Sequence, residues 1–67
     1  MIEITVNGAT QRHPGPVAIS ELLHSLALTG KKVAVERNGE IVPRGVHRST
    51  LVADGDRLEI VVAVGGG

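Results

Sequence analysis

The sequence contains no cysteine. Disulfides, thiolate metal sites and a thiol nucleophile are therefore excluded, and stability has to come from packing. Phe, Tyr and Trp are absent as well, so the core must be built of Ile, Leu, Val and Ala, and the aromatic platforms on which single-stranded nucleic acids stack are missing. Neither sign of charge is in excess: seven basic and seven acidic side chains give a formal net charge of zero, where a nucleic-acid reader usually carries a basic surplus. Lys31-Lys32 is the only pair of adjacent lysines and reads as a solvated turn. No apolar run approaches the roughly 20 residues of a membrane span. The start, Met1-Ile2-Glu3-Ile4-Thr5-Val6, has no basic region and reads as a strand rather than a signal peptide. These absences point to a cytoplasmic protein that binds neither nucleic acid nor membrane. A chain of 67 residues makes one domain that buries only about 60% of its unfolded surface, which leaves little room for an internal active site.

What the chain does have is concentrated in its last fourteen residues. Asp54-Gly55-Asp56 marks a tight turn, since Gly55 tolerates φ > 0 and the flanking carboxylates can bond nearby N–H groups. Arg57 to Val64 then reads as a strand: Leu58, Ile60, Val62 and Val64 fall on one parity, Arg57, Glu59, Val61 and Ala63 on the other. Because Val61 is also apolar, the second half is oily on both faces, which suits a mid-sheet strand or one whose outer face meets a partner. Gly65-Gly66-Gly67 follows. Such an end is either a loose terminus or a substrate: an enzyme that activates the terminal carboxylate must draw the tail through a narrow channel, and residues without Cβ pass closely and leave the carbonyl open to attack. From Val64, the extended tail reaches about 14 Å.

The rest of the chain alternates between strands and turns. Met1 to Val6 sets Ile2, Ile4 and Val6 against Glu3 and Thr5, a half-buried strand. Asn7-Gly8 supplies a type I′ turn, and Ala9 to His13 returns antiparallel as a polar edge strand ended by Pro14-Gly15-Pro16. Ile19, Leu22, Leu23 and Leu26 share one face of an amphipathic helix predicted over Val17 to Leu28. Gly30 is placed as its C′ residue. Ala18 stands where a capping box ending in Glu21 would want Ser or Thr, so Ser20 is the alternative cap. Val33 to Arg37 is a third strand, Asn38-Gly39 a second hairpin turn, and Glu40 to Val42 a short return halted by Pro43. Arg44 to Thr50 reads as a loop or one irregular helical turn before Leu51-Val52. The order β-β-α-β-β-β, with first and last strands paired in parallel mid-sheet, predicts an α+β fold of the β-grasp, ubiquitin-like kind: a mixed sheet of about five strands with one main helix on one face. Residues 1–64 form the domain and 65–67 a mobile tail.

Few other residues suggest chemistry. His13, His24 and His47 fit no metal-ligand spacing, and Asp54-Gly55-Asp56 lacks the remaining ligands of a calcium loop. No phosphate-binding glycine motif is present. Ser20, Ser49 and Thr50 with His24 and His47 offer no nucleophile and base that stand out from caps and loop polars. Arg44, His47 and Arg48 form a modest basic cluster, either solvated loop or a rim that orients a partner.

Taken together, several runs resemble the ThiS family of sulfur carriers in thiazole formation. They are Val6-Asn7-Gly8, Glu21-Leu22-Leu23, Val35-Glu36-Arg37-Asn38-Gly39-Glu40-Ile41-Val42-Pro43-Arg44, Leu51-Val52-Ala53-Asp54-Gly55-Asp56, and Leu58-Glu59-Ile60-Val61 followed by Val64-Gly65-Gly66-Gly67. His13 and Pro14-Gly15-Pro16-Val17-Ala18 depart from the family pattern. The resemblance implies a carrier rather than an enzyme, with no bound cofactor or metal. An E1-like adenylyltransferase would use Mg-ATP to adenylate the Gly67 carboxylate. A sulfur-donating enzyme would convert it to a thiocarboxylate, and thiazole synthase would take the sulfur. Gly65, Gly66 and Gly67 would thread into the partner. Apart from the resemblance, the oily outer face of the last strand beside the tail, with Val61, Ala63 and Val64, is the expected docking face. A sister carrier for molybdopterin or other sulfur transfer and a non-catalytic β-grasp binding module with incidental glycines are the alternatives.

Overall fold

The computed structural model describes residues 1–63. Strand β1 (Ile2–Val6) turns through Asn7-Gly8 into β2 (Ala9–His13). Both turn residues have positive φ, 49° and 85°, the conformation a two-residue hairpin of native twist requires. A two-residue strand β3 (Val17–Ala18) leads directly into helix α1 (Ile19–Ser25), then come β4 (Val33–Arg37), a second Asn-Gly turn, β5 (Glu40–Ile41), a 3-10 turn (Arg44–Val46), β6 (Leu51–Val52) and β7 (Arg57–Val62). The five-stranded sheet has the order β2-β1-β7-β4-β5, with β1 and β7 parallel and the other neighbours antiparallel. This is the β-grasp arrangement expected from the sequence.

Alternation decides which residues pack. Ile2, Ile4 and Val6 of β1, Val35 of β4, and Leu58 and Ile60 of β7 are buried against Ile19, Leu22 and Leu23 of α1 and Val52 of β6. With no ring to fill space, the core is a stack of branched aliphatic side chains, six of them less than 2% exposed among the described residues. Replacing such a side chain by alanine costs about 2–5 kcal/mol.

Both ends of the helix differ from the sequence expectation. Val17 and Ala18 pair antiparallel with Val52 and Leu51 instead of opening the helix. That pairing brings the 47–50 loop over the helix N-terminus, where Ile19 N–H donates to the Thr50 carbonyl and Ser20 N–H to the His47 carbonyl, each at 3.0 Å. The orphan donors of the first turn are thus met by loop backbone, and neither Ala18 nor Ser20 caps with its side chain. At the other end the helix closes at Ser25 rather than Leu28. Ala27, at φ 61°, takes the left-handed position that the sequence reading gave to Gly30. Its N–H bonds the His24 carbonyl at 3.0 Å, and the Leu28 N–H bonds the Leu23 carbonyl at 2.9 Å. These are the two bonds of a Schellman motif, and they fold Leu28 back against the core. Burial of Leu28 offsets the strain of a left-handed alanine, which costs about 1–2 kcal/mol.

Candidate functional site

The expected site lies at the end of β7, and the whole sheet is arranged to hold that strand. Along β7 the parity is as predicted: Leu58 and Ile60 are buried, whereas Arg57, Glu59 and Val61 face away from the helix. Val61 is 61% exposed. In register opposite it on β4 is Ala34, also exposed, and one step along, Glu36 stands directly opposite Glu59. The outer face thus carries a small apolar pair bordered by a like-charge pair, which is unfavourable in an isolated sheet. Val62, whose parity points to the core, is still 39% exposed because it lies where the sheet runs out. The strand ends there and not at Val64: Ala63 is outside it, with its N–H held by the Lys32 carbonyl at 2.8 Å. Val64, Gly65, Gly66 and Gly67 lie outside the described residues.

Two asparagines grip β7 from its two sides. On the β1 side, the regular pairing covers only Thr5 with Arg57 and Val6 with Leu58 before β1 turns away. The Asn7 amide then takes over as a surrogate strand: its Oδ1 accepts the Ile60 N–H at 2.7 Å and its Nδ2 donates to the Ile60 carbonyl at 3.0 Å. On the β4 side, Asn38 Oδ1 accepts the Arg57 N–H at 2.9 Å. Its Nδ2 donates to Asp56 Oδ1 at 3.1 Å. The sequence showed these asparagines only as turn formers. Their second role depends on a strand about twenty to fifty residues away, and local spacing carries no signal of it.

Asp56 is the polar keystone of the approach to β7. Only 8% exposed, it accepts the Ala53 N–H and the Arg37 Nε–H, both at 2.8 Å, on Oδ2. Burial alone would raise its pKa. The bonds from Ala53, Asn38 and Arg37, with the charge of Arg37, outweigh that and hold the carboxyl below the ordinary carboxylate range. Asp54 has the complementary task on β1: its Oδ1 accepts the Glu3 N–H at 2.7 Å, while the Gly55 N–H reaches the Glu3 carbonyl at 2.8 Å. The Asp-Gly-Asp run is therefore a clasp between β1, β4 and β7.

The remaining polar candidates have structural partners. His47 is buried, and its Nε2 must donate to the Val42 carbonyl at 3.0 Å, since that oxygen can only accept. His24 bonds Thr29, and His13 bonds Gln11. Among the described residues, no three side chains of metal-ligand type come together. Thr50 and Ser49 donate their hydroxyls to the Val46 carbonyl, closing the 3-10 turn. Arg44 and Arg48 sit together, and Lys31, expected in a solvated turn, joins them around one hollow. Among the described residues, no helix is long and apolar enough to cross a membrane.

Known proteins agree with this geometry. A family model described as the ThiS family matches residues 3–67. A sulfur carrier protein ThiS of Bacillus subtilis is 45% identical over 49 residues, covering 73% of this chain and 74% of that protein. A thiazole synthase of Paramagnetospirillum magneticum is 41% identical over 66 residues, 98% of this chain but 20% of that protein, so the chain spans about one fifth of that relative's length. The crystal structure of a thiamine biosynthesis protein, ThiS, from Geobacter metallireducens superposes with a TM-score of 0.82 at 36% identity, covering 98% of this chain and 100% of the other. Family match, sequence identity and fold run together over nearly the full length, and the chain belongs to the ThiS family.

Proposed function

We propose that this chain is a sulfur carrier of thiamine biosynthesis whose working group is the Gly67 carboxylate. The observation that supports the reading most is the course of β7. It runs through the middle of the sheet, fixed by β1, β4 and two asparagine side chains, and hands the chain over at Ala63 on the edge of the fold. A rigid body with its last strand anchored can present a short glycine tail to another protein without itself deforming.

The chemistry takes place on partners. An E1-like adenylyltransferase brings Mg-ATP; the Gly67 carboxylate attacks the α-phosphorus and pyrophosphate leaves. A sulfur nucleophile delivered by the sulfur-donating enzyme adds to the acyl carbon, AMP departs, and a thiocarboxylate remains. Adenylation turns a poor electrophile into a reactive one, and the thiocarboxylate stores sulfur as a nucleophile without releasing sulfide. Thiazole synthase accepts it. That a thiazole synthase relative contains a stretch so similar to this chain supports this partner, because joining two modules in one polypeptide raises their effective concentration when they work together. A reaction that consumes ATP is consistent with a cytoplasmic protein.

Docking uses the outer face beside the tail, where Val61 and Ala34 lie exposed, with Ala63 and Val64 continuing towards the glycines. The test is intact-mass spectrometry after incubation with a cognate adenylyltransferase, ATP and a sulfur source. A gain of one oxygen-to-sulfur exchange is expected in the full chain and not in a Gly67 deletion. No adduct, from an enzyme active on another carrier, would overturn the reading in favour of a β-grasp binding module.

A further inference from the structure

Three of the seven basic side chains, those of Lys31, Arg44 and Arg48, gather near where the chain leaves the sheet. Lys31 and Lys32 precede β4, whose first residue Val33 pairs with Val62, and Lys32 supplies the carbonyl that holds Ala63. Arg44 and Arg48, on the 3-10 turn and the loop after it, line a hollow of about 210 Å³ together with Lys31, Leu28 and Val33. The hollow lies at the same end of the fold as the root of the tail, because Val33 belongs both to its wall and to the pair with Val62.

The ion pairs among the described residues join Arg12 to Glu3 and Arg37 to Asp56, so none of these three takes part in one there. A chain of zero net charge that collects three cations around one hollow has a positive end, and such an end steers association with an acidic surface. We infer that the hollow formed by Lys31, Arg44 and Arg48 is a docking subsite for carboxylate side chains on the rim of the channel through which the adenylating partner takes the tail. Arginines suit this occupant, since the guanidinium fork pairs bidentately with a carboxylate. The nucleotide is the wrong occupant on distance: it must meet Gly67, and a four-residue tail drawn out straight in a partner's channel would carry that group about 14 Å from its root. The hollow is at the root. The inference rests on the carrier reading, to which it adds the chemistry of the partner's surface.

The test measures adenylation of the carrier by a cognate adenylyltransferase, through pyrophosphate exchange, and the association rate as salt is varied. The variants are K31Q, R44Q and R48Q, singly and combined, with R12Q on edge strand β2 as a control that matches the charge change of each single variant. Their urea midpoints are compared with wild type to show that all fold. The triple variant is expected to raise KM about tenfold at low salt through a slower association rate, with kcat within about twofold, and the difference should vanish at high salt, where the Debye length falls to about 3 Å. R12Q should match wild type. A triple variant with wild-type KM and an unchanged salt dependence, on an enzyme that adenylates the wild-type chain, overturns the subsite and leaves the carrier reading standing. A wild-type chain that is not adenylated at all overturns both.

Discussion

Asn7 provides the most direct test of how this fold presents its last strand. The Asn7 amide makes two bonds to the backbone of Ile60, at 2.7 and 3.0 Å, on the side of β7 that β1 no longer covers. Each such bond contributes about 0.5–1.5 kcal/mol net. Replacing Asn7 by alanine removes both, and it also puts a β-carbon residue without a compensating amide at φ 49°, which costs about 1 kcal/mol more. The expected loss is therefore about 2–4 kcal/mol. A chain of this length has a total stability of about 3–10 kcal/mol by the usual per-residue range, so N7A should give up a substantial part of it. Asn7→Asp separates the two bonds. It keeps the turn residue and the acceptor for the Ile60 N–H, but places a second carboxylate oxygen against the Ile60 carbonyl, where a donor is needed. Its folded carboxyl pKa should be raised, so the penalty is present at neutral pH and fades as the pH falls through that value and the proton restores a donor. Urea unfolding followed by far-ultraviolet circular dichroism is the assay, because a chain without Trp, Tyr or Phe has no useful fluorescence. Amide exchange should show the Ile60 N–H losing protection before the Val42 N–H, which donates to the Val35 carbonyl at 2.8 Å on the far side of β4. If N7A unfolds within about 0.5 kcal/mol of wild type, the amide is ornamental and β7 is held by its ladders alone.

Asp56→Asn should destabilise by about 1–3 kcal/mol, since an amide cannot accept from Ala53, Asn38 and Arg37 at once. The carboxyl is held below its unfolded value of about 3.9, so its contribution is fully present above that pH and lost as the pH falls through the lower folded value; acid titration of D56N by circular dichroism should lack that part of the slope. Ala27→Gly should stabilise the protein by up to about 1 kcal/mol, because glycine takes φ 61° without strain, partly offset by its freer unfolded chain. A loss of stability in urea melts would show that the Schellman turn is not strained. Val61→Glu should leave the urea midpoint nearly unchanged, given an exposure of 61%, and weaken association with the adenylyltransferase severalfold by calorimetry; unaltered binding would remove the outer face from the docking surface.

Much of this protein was decided by its sequence alone. The period-two alternation of Ile2, Ile4 and Val6 and of Leu58 and Ile60 leaves one face for burial, and the two Asn-Gly pairs permit only tight hairpins with positive φ at both positions. One amphipathic stretch, too short to be stable by itself, then has a single apolar sheet face to cover. The glycine end was also legible from the sequence as a candidate tail, and its residues lie outside the described ones. What local pattern could not supply came from contacts between distant parts of the chain. Val17 and Ala18 have a helical neighbour and no strand signal of their own; they become a strand because Leu51 and Val52 lie beside them. Ala27, and not Gly30, closes the helix because Leu28 gains more by reaching the core than a left-handed alanine costs. The clamps of Asn7 and Asn38 on β7, the three-way bonding of Asp56, and the meeting of Lys31 with Arg44 and Arg48 all join residues far apart in sequence. Spacing carries no record of such pairs; only the closed sheet, with β7 between β1 and β4, brings them within bonding distance.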